Sequence, residues 1–61
     1  MKLLEFLLMY DNWNRDVCVN DNRLNLILKG NPTVIMEHKN LMEMHVVAFG
    51  FYDDELCVRV V

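Results

Sequence analysis

Glycine is scarce in this chain. Only Gly30 and Gly50 occur among its 61 residues, so there is no glycine-rich loop of the kind that cradles phosphates in nucleotide-hydrolysing enzymes. Long apolar stretches are missing too, because no run reaches the roughly 20 residues that span a bilayer. The first apolar segment, KLLEFLLMY, is short and contains Glu5. It therefore predicts neither a membrane anchor nor a signal peptide, and we expect no membrane partner.

Metal-ligating residues are few and badly spaced. Cys18, His38, His45 and Cys57 form no CxxC, HxxxH or HExxH motif, so we expect no metal site and no cofactor. The two cysteines each fall in a predicted strand and could in principle form a disulfide. The missing secretory signal favours reduced, buried thiols in a cytoplasmic protein.

Catalytic constellations are also absent. Cys57 lies two residues before Arg59, but a nucleophilic cysteine needs a base and an accessible electropositive setting, so a small buried apolar role is favoured. The acids Asp53, Asp54 and Glu55 fall at a predicted turn, where solvent leaves carboxylates unperturbed. We therefore expect that the protein is not an enzyme.

What the chain does have is apolar side chains. They make up 54% of the sequence, whereas a domain of this size buries only about 60% of the surface of its unfolded chain. A single domain spanning residues 1–61 would leave apolar surface uncovered, which predicts a homo-oligomer. The formal net charge of −3 argues against direct nucleic-acid binding.

The segment from residue 45 to 61, HVVAFGFYDDELCVRVV, has the pattern of a β-hairpin. Its turn is either the two residues Asp53-Asp54 or a four-residue loop from Tyr52 to Glu55, with the same pairing. The predicted partners are Tyr52 with Glu55, Phe51 with Leu56, Phe49 with Val58 and Val47 with Val60.

Alternation along these strands predicts two different faces. The apolar face, expected to be the core face, carries His45, Val47, Phe49, Phe51, Leu56, Val58 and Val60. The other face is mixed and includes Gly50, Tyr52, Cys57 and Arg59. A glycine inside a strand indicates a bulge or the close approach of another backbone.

The N-terminal segment predicts a helix from Lys2 to Met9 or Tyr10, because Leu3, Phe6 and Leu7 recur at helical spacing. The polar loop DNWNRD follows. Its Trp13 is expected to fold back as a lid on the core, although an exposed aromatic side chain for binding is the alternative.

The middle of the chain predicts a second hairpin. Its strands are Val17 to Val19 and Leu24 to Lys29, joined by a turn from Asn20 to Arg23.

Before the final hairpin, Thr33 to Met36 is predicted to be a short extended piece and Glu37 to Met42 one helical turn. The alternative is one irregular helix from Thr33 to Met44. The architecture is therefore α+β, an N-terminal helix packed on an antiparallel sheet of about four strands, either open or curled towards a small barrel.

A binding role remains compatible with the absence of catalytic and metal-binding motifs. Tyr52 and Arg59 on the mixed face could stack on a base and hold a phosphate, with Trp13 or Arg15 nearby. The alternative is that Tyr52 and Arg59 fill a subunit interface.

The runs LEFLLMYDNWN, VNDNRLN and VVAFGFYDDELCVRV resemble those of small proteins from phages and prophages of Gram-positive bacteria. The shared pattern is a helix, then D-N-W, then V-N-D-N, then an F-Y-D-D hairpin. The resemblance implies a phage setting in the cytoplasm of a bacterial host. It brings no catalytic or ligand residues with it.

Two functional hypotheses follow. The first is a non-enzymatic oligomeric phage accessory protein that counters host defence, as an inhibitor that binds a host protein or by sequestering a small nucleotide signal. The second is a structural or regulatory adaptor in phage replication or assembly, which acts through protein–protein contacts at its sheet edge.

Overall fold

A computed structural model, which describes all 61 residues, shows helices covering one face of a four-stranded sheet. This confirms the predicted α+β class. In chain order the elements are α1 (Leu3–Met9), β1 (Val17–Asn20), β2 (Leu26–Gly30), α2 (Pro32–Met36), α3 (Lys39–Met42), β3 (Val46–Tyr52) and β4 (Glu55–Val60).

The strands lie in the order β2-β1-β4-β3. Both hairpins are antiparallel, as predicted, but β1 and β4 pair in parallel. The sheet is therefore mixed, and the prediction of an antiparallel sheet was wrong on this point. A parallel pair needs a long crossover connection, and the chain from β2 through α2, α3 and β3 supplies it. The sheet stays open, with β2 and β3 as its edges, and does not close into a barrel.

Helix α1 confirms the predicted N-terminal helix. The Glu5 carboxylate accepts a hydrogen bond from the Lys2 backbone N–H at 2.8 Å, which satisfies a free donor at the start of the helix. Leu3 and Leu7 are fully buried against the sheet, and Phe6 is half-buried beside them. No helix in the structure is both long enough and apolar enough to cross a bilayer.

The connection between the hairpins is more helical than predicted. The Asn31 side chain accepts a hydrogen bond from the Val34 N–H at 3.1 Å, and Pro32 occupies the first turn of α2. Both features start helices. The prediction of an extended piece from Thr33 to Met36 was therefore wrong, because this local capping outweighs the β-branched residues.

The second helical turn, predicted from Glu37 to Met42, is present as α3. The alternative of one irregular helix from Thr33 to Met44 was wrong. The chain leaves helical geometry at His38, whose ψ of 89° separates α2 from α3.

The final hairpin has the predicted two-residue turn. Asp53 and Asp54 both have positive φ, 52° and 65°, as a type I′ turn requires. Three of the predicted pairs are present, but a bulge between Val46 and Ala48 shifts the end of the ladder, so that Val46 faces Val60. The predicted pair of Val47 with Val60 was therefore wrong.

The first hairpin has a longer turn than predicted. Its second strand begins at Leu26, whereas Leu24 lies in the turn with a positive φ of 66°. The Asp21 carboxylate holds this turn by accepting backbone hydrogen bonds from Arg23 at 2.8 Å and from Asn25 at 2.9 Å. These hydrogen bonds lower the pKa of Asp21.

The core lies between the helices and the two central strands. Its buried members are Leu3, Leu7, Val17, Val19, Ile35, Leu41, Met42, Leu56, Val58 and Val60. Alternation therefore gave the core face of β4 correctly.

The core prediction was wrong for the partner strand β3. Val47, Phe49 and Phe51 expose 50%, 62% and 62% of their surface, and His45 is also exposed. These residues lie on an edge strand, beyond the area that the helices cover. Phe6 of α1 packs beside them, with its ring centroid 5.1 Å from that of Phe49.

Candidate ligand-binding site

The face of the sheet opposite the helices, called here the open face, is covered by no helix. The core cluster joins all three helices to the other face. By alternation and register, the open face carries Cys18, Asn20, Lys29, Ala48, Gly50, Tyr52, Glu55, Cys57 and Arg59. It corresponds to the mixed face that the sequence predicted for the final hairpin, extended by the first one.

Tyr52 and Arg59 line the same shallow depression on the open face. Its volume is about 160 Å³. The Tyr52 side chain is 68% exposed, and its ring lies against Gly50, where an added Cβ would sit 3.5 Å from the ring. The aromatic ring therefore lies over the strand at the rim of the depression, at ordinary contact distance for a Cβ at position 50.

Arg59 is a cation without a partner. Its strand neighbours are Asn20 and Ala48, neither of which is charged. Its Nε is buried and has no hydrogen-bond partner in the protein. A buried donor left unsatisfied costs free energy, so Arg59 has unmet hydrogen-bonding capacity beside the depression that its side chain lines.

The other charged pair of the open face is already neutralised. Lys29 Nζ lies 2.9 Å from Glu55 Oε1, and the hydrogen bond and charge of Glu55 raise the pKa of Lys29. The chain has one further ion pair, between Lys2 and Glu43. Arg59 is therefore the open-face cation that remains available to an anion.

The two cysteines lie side by side on the open face. Cys18 and Cys57 are register partners on the parallel strands β1 and β4, and both thiols are free. Cys18 Sγ donates to Asn20 Oδ1 at 3.5 Å. Burial, with a smaller contribution from the neighbouring Cys18, raises the pKa of the Cys57 thiol, so Cys57, which lines the depression, is uncharged at neutral pH.

The other two predicted site residues lie elsewhere. Trp13 is half-buried, and its Nε1 donates to the Leu7 carbonyl oxygen at 3.1 Å, which places the indole over the end of α1. Arg15 Nη1 donates to the Asp54 carbonyl oxygen at 3.3 Å and lies beside the hairpin turn. Neither residue lines the depression.

The depression also contains residues that the sequence did not suggest. Asn20 and Leu24 contribute to its lining from the first hairpin. Nothing in the local sequence could have placed them there, because they reach Arg59 only through the parallel pairing of β1 with β4. Gly50 did carry a signal, since glycine inside a strand is unusual.

This arrangement suits a small anion that carries a flat ring. The exposed phenol can stack on an aromatic ring, and the guanidinium can bind a phosphate or carboxylate through two parallel hydrogen bonds. The depression is smaller than the roughly 300–1,000 Å³ of sites that enclose a whole ligand. One chain therefore has room in this depression for a ring or an anionic group, but not for a whole nucleotide-sized ligand.

Comparisons with known proteins identify no relative of this chain. No protein-family model matches the chain, and no curated protein or solved structure matches it significantly.

Proposed function

We propose that this protein is a non-enzymatic binding protein that takes up a small nucleotide on its open face. The observation that supports this most directly is Arg59, a cation without an acidic partner whose Nε is unsatisfied and which lines the same depression as the exposed Tyr52. Sequestering a nucleotide requires binding alone, so no catalytic group is needed.

Recognition would divide between the two side chains. Stacking on an aromatic ring contributes about 1–3 kcal/mol per base in proteins that bind single strands, and it tolerates different bases. The guanidinium of Arg59 would bind the phosphate, because its fork matches two phosphate oxygens. A net charge of −3 would disfavour long nucleic acids, whereas one local cation suffices for a small nucleotide.

The resemblance to phage proteins supplies the setting. We place the chain in the cytoplasm of a bacterial host, as an oligomeric phage accessory protein that counters host defence by removing a nucleotide signal. A chain that binds without turnover would act in stoichiometric amounts, so the signal would have to be scarce relative to the protein.

Isothermal titration calorimetry tests the role of the cation. The titrants are nucleoside monophosphates, cyclic dinucleotides and inorganic phosphate. We expect a nucleotide to bind the wild-type protein and Arg59→Gln to weaken binding by about tenfold or more, because a charge-assisted bidentate contact is lost. Lys39→Gln is the matched control, since it removes one exposed positive charge from the helical layer.

A second pair of variants tests the ring. Tyr52→Ala should weaken nucleotide binding and leave the weaker binding of inorganic phosphate unchanged, whereas Tyr52→Phe should keep the stacking. The proposal fails if no nucleotide binds, or if Lys39→Gln reduces binding as much as Arg59→Gln does.

The exposed face of β3 favours one other function, that of an adaptor which binds a host or phage protein. Val47, Phe49 and Phe51 lie on a strand whose outer edge is free, and such an edge can accept a further strand. A pull-down with a Phe51→Lys variant distinguishes the two functions, because Phe51 does not line the depression. An adaptor loses its protein partner on this change, whereas nucleotide binding by a single chain is retained.

A further inference from the structure

We infer that a second copy of this chain pairs with the free edge of β3, so that two sheets join into one of eight strands across a two-fold axis at Gly50. The pairing itself is independent of the nucleotide. Its consequence for the binding site, described last, rests on the proposed function.

The edge is unprotected along most of β3. The Val46 N–H already donates to the Met1 carbonyl oxygen at 2.8 Å, and Lys2 bridges to His45, which covers only the start of the strand. Exposed edges in natural proteins are usually blunted by charged side chains or proline. From Val46 to Tyr52 the strand contains neither, whereas the other edge strand, β2, carries Lys29.

The hydrogen-bonding pattern fixes which groups are free. In a hairpin with a two-residue turn, Tyr52 and Glu55 form a hydrogen-bonded pair, and such pairs alternate along the ladder. Gly50 therefore bonds to β4, whereas the N–H and C=O groups of Phe49 and Phe51 point away from the sheet. An antiparallel partner strand can bond to these outward groups.

Symmetry then selects the register. A two-fold axis at Phe49 would place the partner's Tyr52 on Val46, where Met1 already pairs. An axis at Phe51 would place the partner's turn residue Asp53 on Phe49. An axis at Gly50 avoids both arrangements and sets each Phe49 opposite the partner's Phe51. The small residue at the axis also accounts for the glycine inside the strand.

The side chains complement this register. A groove of about 570 Å³ between α1 and β3 is lined only by apolar residues, including Phe6, Met9 and Phe49. In this register the partner's Phe51 lies opposite Phe49, beside this groove. The exposed rings of Phe49 and Phe51 alone offer on the order of 250 Å², about a third of the roughly 800 Å² that a standard interface takes from each partner, and the groove supplies more.

The charges at the two ends of β3 are also complementary. Antiparallel pairing brings the acidic turn, Asp53-Asp54, next to the partner's Lys2 and His45, which lie at the opposite end of the strand. Glu43 already forms an ion pair with Lys2. The attraction between Lys2 and the partner's acidic turn therefore orients the two chains more than it stabilises the dimer.

The second copy enlarges the ligand site. In this register the partner's Tyr52 lies opposite Ala48, which lines the depression that contains Arg59. Each depression is then flanked by the aromatic rings of both copies. A site too small to enclose a nucleotide in one chain becomes a pair of adjoining sites on one continuous face.

Multi-angle light scattering and sedimentation equilibrium test the dimer at micromolar concentrations. We expect a mass twice the 7.3 kDa of one chain. Phe49→Lys combined with Phe51→Lys should give a monomer, because like charges then face each other. Phe49→Lys combined with Phe51→Glu should restore the dimer, because opposite charges then face each other across the axis at Gly50. The matched control is Leu26→Lys, at a 60% exposed position on the opposite edge, which should leave the dimer intact.

A monomeric wild-type protein would overturn the inference. So would dissociation by Leu26→Lys, or a monomeric charge-swapped variant (Phe49→Lys with Phe51→Glu) beside a dimeric wild type. Circular dichroism of each variant separates loss of pairing from loss of fold.

Nucleotide titration of the same samples tests the dimer and the proposed nucleotide binding independently. A dimer that binds no nucleotide contradicts the proposed function alone, and a monomer that binds one contradicts the dimer alone.

Discussion

The two faces of the sheet are built from neighbouring residues but lie in different surroundings. On β4, Leu56, Val58 and Val60 are almost completely buried under the helices, whereas Glu55, Cys57 and Arg59 alternate with them on the open face and remain partly accessible. One face therefore stabilises the fold and the other is free to carry a site. Four experiments test this division and the turn that borders the open face, from the largest expected effect to the smallest.

Adjacent truncations on β4 should differ most. Leu56→Ala should lower the free energy of unfolding by about 2–5 kcal/mol, which is enough to unfold much of a marginally stable small domain. Cys57→Ala, on the open face, should cost less than about 1 kcal/mol. Urea denaturation followed by circular dichroism measures both. Equal losses would contradict the division between the faces.

The turn that borders the open face carries backbone strain. Leu24 has a φ of 66°, a conformation that costs residues other than glycine about 1–2 kcal/mol. Leu24→Gly should therefore raise the free energy of unfolding by up to about 1 kcal/mol, less the greater entropy of the unfolded chain. Leu26→Gly, in a strand, should be destabilising. Thermal unfolding of both variants provides the comparison.

The thiols report how far the open face is shielded. Because burial raises the pKa of Cys57, its alkylation by iodoacetamide at neutral pH should be slower than that of a small free thiol, and should accelerate as the pH rises. Peptide mass spectrometry of Cys18→Ser follows Cys57 alone. Alkylation of Cys57 as fast as in urea-unfolded protein would show that the open face gives no shielding.

The smallest effect concerns Asp21 and its dependence on pH. Its pKa is lowered by hydrogen bonds from the turn backbone, so it stabilises the folded state above the ordinary aspartate pKa. This contribution is lost as the pH falls through the lower pKa of the folded state. In the Asp21→Asn variant, Tm should therefore fall less steeply than in the wild type as the pH is lowered. An unchanged fall in Tm would show that the carboxylate contributes nothing.

Local pattern predicted the hairpins and the helix because their signals lie within a few residues. The pairs of Tyr52 with Glu55 and Phe49 with Val58 follow from alternation around one turn. Alternation also predicted that Phe49 and Phe51 share a face with Leu56. It could not predict their exposure, since that depends on whether a helix reaches the edge of the sheet.

The candidate site was predictable only in part for the same reason. Tyr52 and Arg59 were assigned to one face from the hairpin register alone. Asn20 and Leu24 joined them through the parallel contact of β1 with β4, which no short-range pattern encodes. Trp13 and Arg15 lie away from the depression because they bond to the backbone at Leu7 and Asp54 instead.

The parallel pair at the centre of the sheet also bears on how the chain folds. Each hairpin closes a short loop and can form early. Val17 pairs with Leu56 only when the long segment between them has been brought into a compact loop. Closing that long loop costs the most conformational entropy and is expected to limit the folding rate. The valines of β1 and the apolar row of β4 are buried in this same step. Joining the two halves and forming the core are therefore one cooperative event.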